Sequence, residues 1–220
     1  MVPELAKEWR AMLVKEMRRK AIHLSGLSVP IGLIFLGSTV TAEAIALALA
    51  VSLLLEKQRL NGKIRLPEVR DHEQTRVAGY IYYIAGSLLC VLLFSPMIAV
   101  TAMLFLSLGD TVSGLAGSIL KNCDVRGMQA PAGRRRIKPL PVLTTMFSAC
   151  LFIGYLASSF FGLAGLVGLA GLSFPVYLAG AAAATFADGV AIIIRNRSLD
   201  DNFSIPVFSG ALMCLVALIS

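Results

Sequence analysis

Charge is scarce in this sequence. Charged residues make up 15% of the chain and hydrophobic ones 57%, with a mean hydropathy of +0.78. Soluble domains carry about 25% charged residues, so this scarcity excludes an ordinary water-soluble fold and a disordered chain alike. Cysteine is sparse too. Cys90, Cys123, Cys150 and Cys214 are scattered, with no C-x-x-C and no histidine at ligand spacing, which excludes a disulfide framework and a usual zinc site. No G-x-x-x-x-G-K-[ST] occurs, so a P-loop NTPase is excluded, and neither H-R-D nor D-F-G of protein kinases is found. The first twenty residues are rich in charge and lack an apolar core, so no cleavable signal peptide is expected.

Long apolar runs dominate what is present. Their spacing predicts an all-α polytopic membrane bundle of about seven spans: 21–38, 42–56, 77–94, 97–120, 141–160, 174–194 and 203–219. The apolar, Gly-rich piece 161–172 is too short to cross alone; it reads as an extension of the fifth span or a re-entrant segment. Ahead of the spans, Leu5, Trp9, Met12, Leu13 and Met17 share one helical face opposite Lys7, Arg10, Lys15, Arg18 and Arg19. That pattern predicts an interfacial amphipathic helix over 1–20, followed by a single membrane-embedded domain over 21–220.

The 20 Lys and Arg residues give orientation. All of them fall in 1–20, 57–76, 121–138 and 195–197, segments that seven spans place on one side. The positive-inside rule then predicts a cytosolic N-terminus. A net charge of +7 on such a chain points to anionic headgroups rather than nucleic acid.

The most informative stretch runs from Leu104 to Ser118. An apolar run meets Gly109-Asp110, then continues through Gly114 and Gly117 at helical spacing. A carboxylate inside a span is costly unless it faces protein, water or a cation. Asp110 therefore reads as a ligand-facing group, and its plainer reading is a cap on the helix that follows. Asp188 lies inside the sixth predicted span and needs a partner for the same reason. Arg19, Lys20, His23, Glu56, Arg76, Lys138, Asp200, Asp201 and Asn202 fall near the same predicted membrane face. Basic groups suit phosphate, while carboxylates with an Asn suit Mg²⁺, which shares its oxygens with water and phosphates. The mixture points to a nucleotide–Mg²⁺ complex meeting a lipid.

The order Arg19-Lys20…His23, Glu56, Arg76, Gly109-Asp110…Gly117, Lys138, Asp188 and Asp201-Asn202-Phe203-Ser204-Ile205-Pro206 resembles the CTP-dependent polyprenol kinase family. That family includes dolichol kinase, phytol kinase and CTP-dependent diacylglycerol kinase, and is related to phosphatidate cytidylyltransferase. Asp188 stands where the family usually has Glu, and Lys138 is followed by Pro139-Leu140-Pro141 rather than Ser/Thr and Glu-Gly. The resemblance implies transfer of the γ-phosphoryl group of CTP to a long-chain lipid alcohol. It implies catalytic roles for Asp110, Asp188 and Lys138, and metal ligation by Asp110, Asp201 and Asn202. Phosphate or nucleotide contacts would come from Arg19, Lys20, His23, Gly109, Gly117 and Asn202.

Three other readings stay open at this stage. A cytidylyltransferase would release pyrophosphate from the same nucleotide. An aspartyl protease would need the G-x-G-D glycine pair, which Ser107-Leu108-Gly109-Asp110 lacks. A small transporter or lipid-binding protein would bind no CTP–Mg²⁺. The short chain suits a prokaryotic or archaeal plasma membrane, or the endoplasmic reticulum in a eukaryote. The acceptor alcohol and the oligomeric state, a homo-oligomer included, are left open.

Overall fold

The structure, a computed structural model, describes residues 24–64, 74–122, 137–164, 171–190, 193–194 and 197–220. In chain order its helices are α1 (Ser28–Phe35), α2 (Gly37–Leu60), α3 (Gly79–Leu93), α4 (Pro96–Leu104), α5 (Asp110–Asn122), α6 (Leu140–Ala164), α7 (Phe174–Gly189) and α8 (Asp201–Ile219). Two-residue strands β1 (Ile193–Ile194) and β2 (Arg197–Ser198) pair antiparallel between α7 and α8. The expected all-helical class is what is seen.

Among the described residues, four helices are long and apolar enough to cross a membrane: Gly37–Leu60, Pro96–Ile119, Leu140–Phe160 and Asp201–Ile219. On α2, Leu47, Val51, Leu53 and Leu54 are exposed. An apolar helix with so little of its surface covered by protein belongs in lipid. The stretch Pro96–Ile119 is by contrast two-thirds buried and runs through the centre of the bundle. Met103, Phe105 and Leu106 meet Met146 of α6 and Ile205 and Met213 of α8 in the core. Where α7 and α8 touch, Gly180 makes room for Met213. A Cβ there would fall 2.6 Å from the Met213 side chain.

The helix boundaries depart from the predicted spans in ways that backbone chemistry explains. The turn expected near 38–41 comes at Leu36-Gly37, because Gly37 adopts φ +79°, a conformation open chiefly to glycine. Helix α2 continues past Glu56 to Leu60, since Glu56 and Arg59 pair one turn apart. It stops where Gly62 takes φ +73°. Helix α7, the sixth predicted span, ends at Gly189 rather than 194, because β-branched Val190 and Ile193 go into extended pairing: Val190 bridges to Ile137 and Ile193 pairs with Ser198. Helix α6 runs on to Ala164, so the start of the Gly-rich piece extends the fifth predicted span. The amphipathic helix expected over 1–20 lies outside the described residues.

The largest correction concerns the Gly-Asp break. The chain does not leave the helix there. Residues Phe105–Gly109 form a π-helical turn between α4 and α5, and the Asp110 N–H reaches back five residues to the Phe105 carbonyl. Such π turns insert one residue into an otherwise continuous helix and recur at functional sites. Asp110 is therefore an internal residue of a long buried helix, not a cap.

Candidate active site

Four polar side chains from four segments converge at one end of the bundle. Asp110 comes from the turn after the π segment, Asp188 from the last turn of α7, and Asp201 from the first turn of α8. Each offers a carboxylate oxygen, and the three oxygens lie within 4.8 Å of one another. Asp110 and Asp188 are buried and Asp201 is partly buried. The fourth is Lys138, whose Nζ donates to Asp188 Oδ1 at 2.5 Å. Asp188 Oδ2 accepts from Ser113 Oγ at 3.2 Å.

Local structure explains how the lysine arrives there. The Lys138 N–H donates to the Gly189 carbonyl at 2.8 Å, and Ile137 bridges to Val190. The strand-like entry to α6 is thus stitched to the end of α7, which sets Lys138 beside Asp188. Burial opposes the charge on Lys138. The Asp188 carboxylate, backed by Asp201 and Asp110, outweighs that effect and holds the ammonium's pKa above its ordinary 10.5. Lys138 is thus a fixed cation near neutral pH and cannot serve as a general base.

Asp200 caps α8, its Oδ1 accepting from the Asn202 N–H at 2.9 Å. The cap leaves Asp201 in the first turn, where the helix dipole favours a negative charge. Asn202 is buried, and its Nδ2 donates to the Gly79 carbonyl at 3.3 Å. Four residues later stands Pro206. Proline has no N–H, so it withholds the helical hydrogen bond that the Asn202 carbonyl would ordinarily receive.

The remaining predicted residues fare differently. The position a Cβ would take at Gly109 lies 2.7 Å from Cys150 Sγ and 3.3 Å from Met146 Sδ. The close approach that Gly109 permits is therefore by α6, so the ligand contact expected from this glycine has no opening on that side. Gly109→Ala is expected to cost about 1–3 kcal/mol through overpacking, and Cys150→Ala in the same chain to recover most of it. Thermal denaturation of the two variants measures this, and equal melting of Gly109→Ala and wild type would refute it. Gly117 is only partly buried, with Val142 at ordinary contact distance. Arg19, Lys20 and His23 lie outside the described residues.

Glu56 is not aimed at a ligand. Its carboxylate takes Arg59 Nε and Nη2 at 2.7 Å each, the Ala78 N–H at 2.8 Å and the Tyr80 hydroxyl at 2.6 Å. Arg59 also donates to the Arg76 carbonyl at 2.6 Å, so Arg76 contributes its backbone to this cluster. Ser113, Arg59 and Tyr80 were not singled out in the sequence. The signal for Ser113 was its position three residues after Asp110, on the same helix face. Ser107, inside the π turn, is buried with no partner for its hydroxyl among the described residues.

On the outside of α7 and α8, Ala182, Ala183, Phe186, Phe208 and Ala211 line an open apolar concavity of about 530 Å³. Ala181 and Ala184 of the same helix are fully buried. No family model, no curated protein and no solved structure significantly matches this chain.

Proposed function

We propose that the protein is an integral-membrane kinase that transfers the γ-phosphoryl group of CTP to the hydroxyl of a long-chain lipid alcohol. The observation that carries this reading is the meeting of Asp110, Asp188 and Asp201 with Lys138 at one end of an apolar bundle. At 4.8 Å and an effective dielectric of about 20, each carboxylate pair repels by about 3–4 kcal/mol. Lys138 offsets part of that repulsion. Hard oxygen donors in that number fit Mg²⁺, held by Asp110 and Asp201 with help from the Asn202 side-chain oxygen. When bound there, the ion would neutralise triphosphate charge.

The residues then take these roles. Lys138 meets phosphate oxygens while staying paired to Asp188. Both Asp188 oxygens already accept hydrogen bonds, so Asp188 orients Lys138 and the acceptor rather than taking its proton. The acceptor oxygen attacks the γ-phosphorus, the bond to the β,γ-bridging oxygen breaks, and CDP leaves with the electron pair. The hydroxyl proton passes to a phosphoryl oxygen or to water, since Asp188 is occupied and Asp110 and Asp201 would hold the ion. A loose transition state of this kind demands charge neutralisation and positioning more than strong base catalysis.

In this reading the chain crosses seven times, with the N-terminus and the acidic trio on the cytosolic side. Helices α3 and α7 have 15 and 16 residues, about 22–24 Å, against a hydrocarbon core of about 30 Å. Their shortness recesses the site below the headgroups, where a lipid hydroxyl can reach it. The concavity beside Phe186 and Phe208 would take the hydrocarbon chain. The family resemblance supports the same nucleotide and acceptor class.

The test is incubation of the purified protein with labelled CTP, Mg²⁺ and, in parallel, polyprenols, phytol-like alcohols and diacylglycerol. A phosphorylated lipid and stoichiometric CDP are expected. Pyrophosphate and a CDP-lipid from a parallel incubation with phosphatidate would make it a cytidylyltransferase, and no product with any acceptor would overturn the reading.

A further inference from the structure

Two separate contacts tie the Glu56 cluster to the first turn of α8. Glu56 holds the backbone of Ala78 and the hydroxyl of Tyr80. Between those two residues sits Gly79, whose carbonyl receives the Asn202 side chain. Two turns further along the same face, Gly86 lies against α8: a Cβ there would fall 3.2 Å from both the Asn202 carbonyl and Phe203 Cα. Helix α3 therefore touches α8 at Asn202 from both ends of its first two turns. Asp201 is the next residue back. Glu56 and Arg59 are themselves buried, at 3% and 8% exposure, and nearly every donor and acceptor they bring is matched within the cluster.

From this we propose that Glu56 is a positioning residue for the acidic trio, acting through Tyr80, Gly79 and Asn202. Its carboxylate fixes where α3 begins, the Gly79 carbonyl fixes the Asn202 side chain, and Asn202 sets the placement of Asp201 opposite Asp110 and Asp188. The role requires a carboxylate, because four donors from three residues converge on its two oxygens. It explains an acidic side chain at the end of a lipid-facing helix that touches no ligand group. The inference rests on reading the trio as the metal and nucleotide site.

The probe is Mn²⁺ bound by full-length protein in detergent, followed by its paramagnetic resonance signal. Glu56→Gln strands the Arg59 charge and risks misfolding, so Tyr80→Phe is the main variant. Loss of one hydrogen bond in the chain is expected to weaken Mn²⁺ binding about two- to tenfold. In an Asn202→Ala background the same change is expected to add nothing, because the link is already cut. Equal effects of Tyr80→Phe in both backgrounds, or none in either, would overturn the proposal. Hydrogen exchange at the Asn202, Phe203 and Ser204 amides gives a readout without metal, and faster exchange in Tyr80→Phe is expected. If wild type takes up no Mn²⁺, the metal reading falls. The relay then stands on faster exchange and is overturned by unchanged exchange.

Discussion

Asp201→Asn is expected to lower the rate of CTP-dependent lipid phosphorylation by about two to three orders of magnitude, the range seen when one preorganised electrostatic group is lost. The same change is expected to raise the melting temperature. Three carboxylates with oxygens inside 4.8 Å of each other repel in the absence of a cation, and an amide of equal shape removes two of the three repulsive pairs. Asp201 is partly exposed, so the gain is discounted to about 1 kcal/mol, which corresponds to about 2–4 °C for a chain of this size. Stability gained as activity is lost marks a site strained for function. Mg²⁺ should raise the melting temperature of wild type and leave that of Asp201→Asn almost unchanged, because an ion stabilises only the state that binds it. Activity that survives in the variant, or a melting temperature that falls, would remove Asp201 from the site.

The contrast between legible and illegible features is physical. Helices were readable because apolar runs must be buried in protein or lipid whatever their neighbours are. The convergence of Asp110, Asp188 and Asp201 was readable because intramembrane carboxylates demand partners. The order of those acids along the chain, each near a helix end on one predicted face, left few places for them to meet. The π turn was not readable. An inserted residue changes no hydropathy pattern, and Gly109-Asp110 reads equally as a helix end. Gly109 packs there against Cys150 and Met146, a tertiary contact that propensity cannot express. The Glu56–Arg59 pair was missed for a related reason. A charge near a predicted span end reads as leaving the membrane, whereas two opposite charges three residues apart on one face neutralise each other and carry the helix another turn. The pairing of Ile137 with Val190, which delivers Lys138, joins residues far apart in sequence and leaves no local trace beyond β-branched side chains.

Removing the lysine should have the opposite sign from removing Asp201. Lys138→Met leaves Asp188, whose side chain is fully buried, as an uncompensated charge beside two further acids. Breaking a buried ion pair from one side costs about 3–5 kcal/mol. Lys138 is 37% exposed, which places the expected loss at the lower end, about 3 kcal/mol. Lys138→Met with Asp188→Asn removes both charges and should recover most of that stability while staying inactive, since the cation assigned to the phosphates is gone. The lysine's raised pKa fixes how this depends on pH. A base whose pKa rises on folding contributes stability in full below its unfolded value and loses it only as pH climbs through the folded one. The stability difference between wild type and Lys138→Met, followed by melting temperature, is therefore expected to stay level from pH 7 to about 10. It should shrink only above the ordinary lysine value of 10.5. A difference already gone by pH 9 would mean that Lys138 is neutral in the folded protein. The phosphate-binding role, which needs its charge, would go with it.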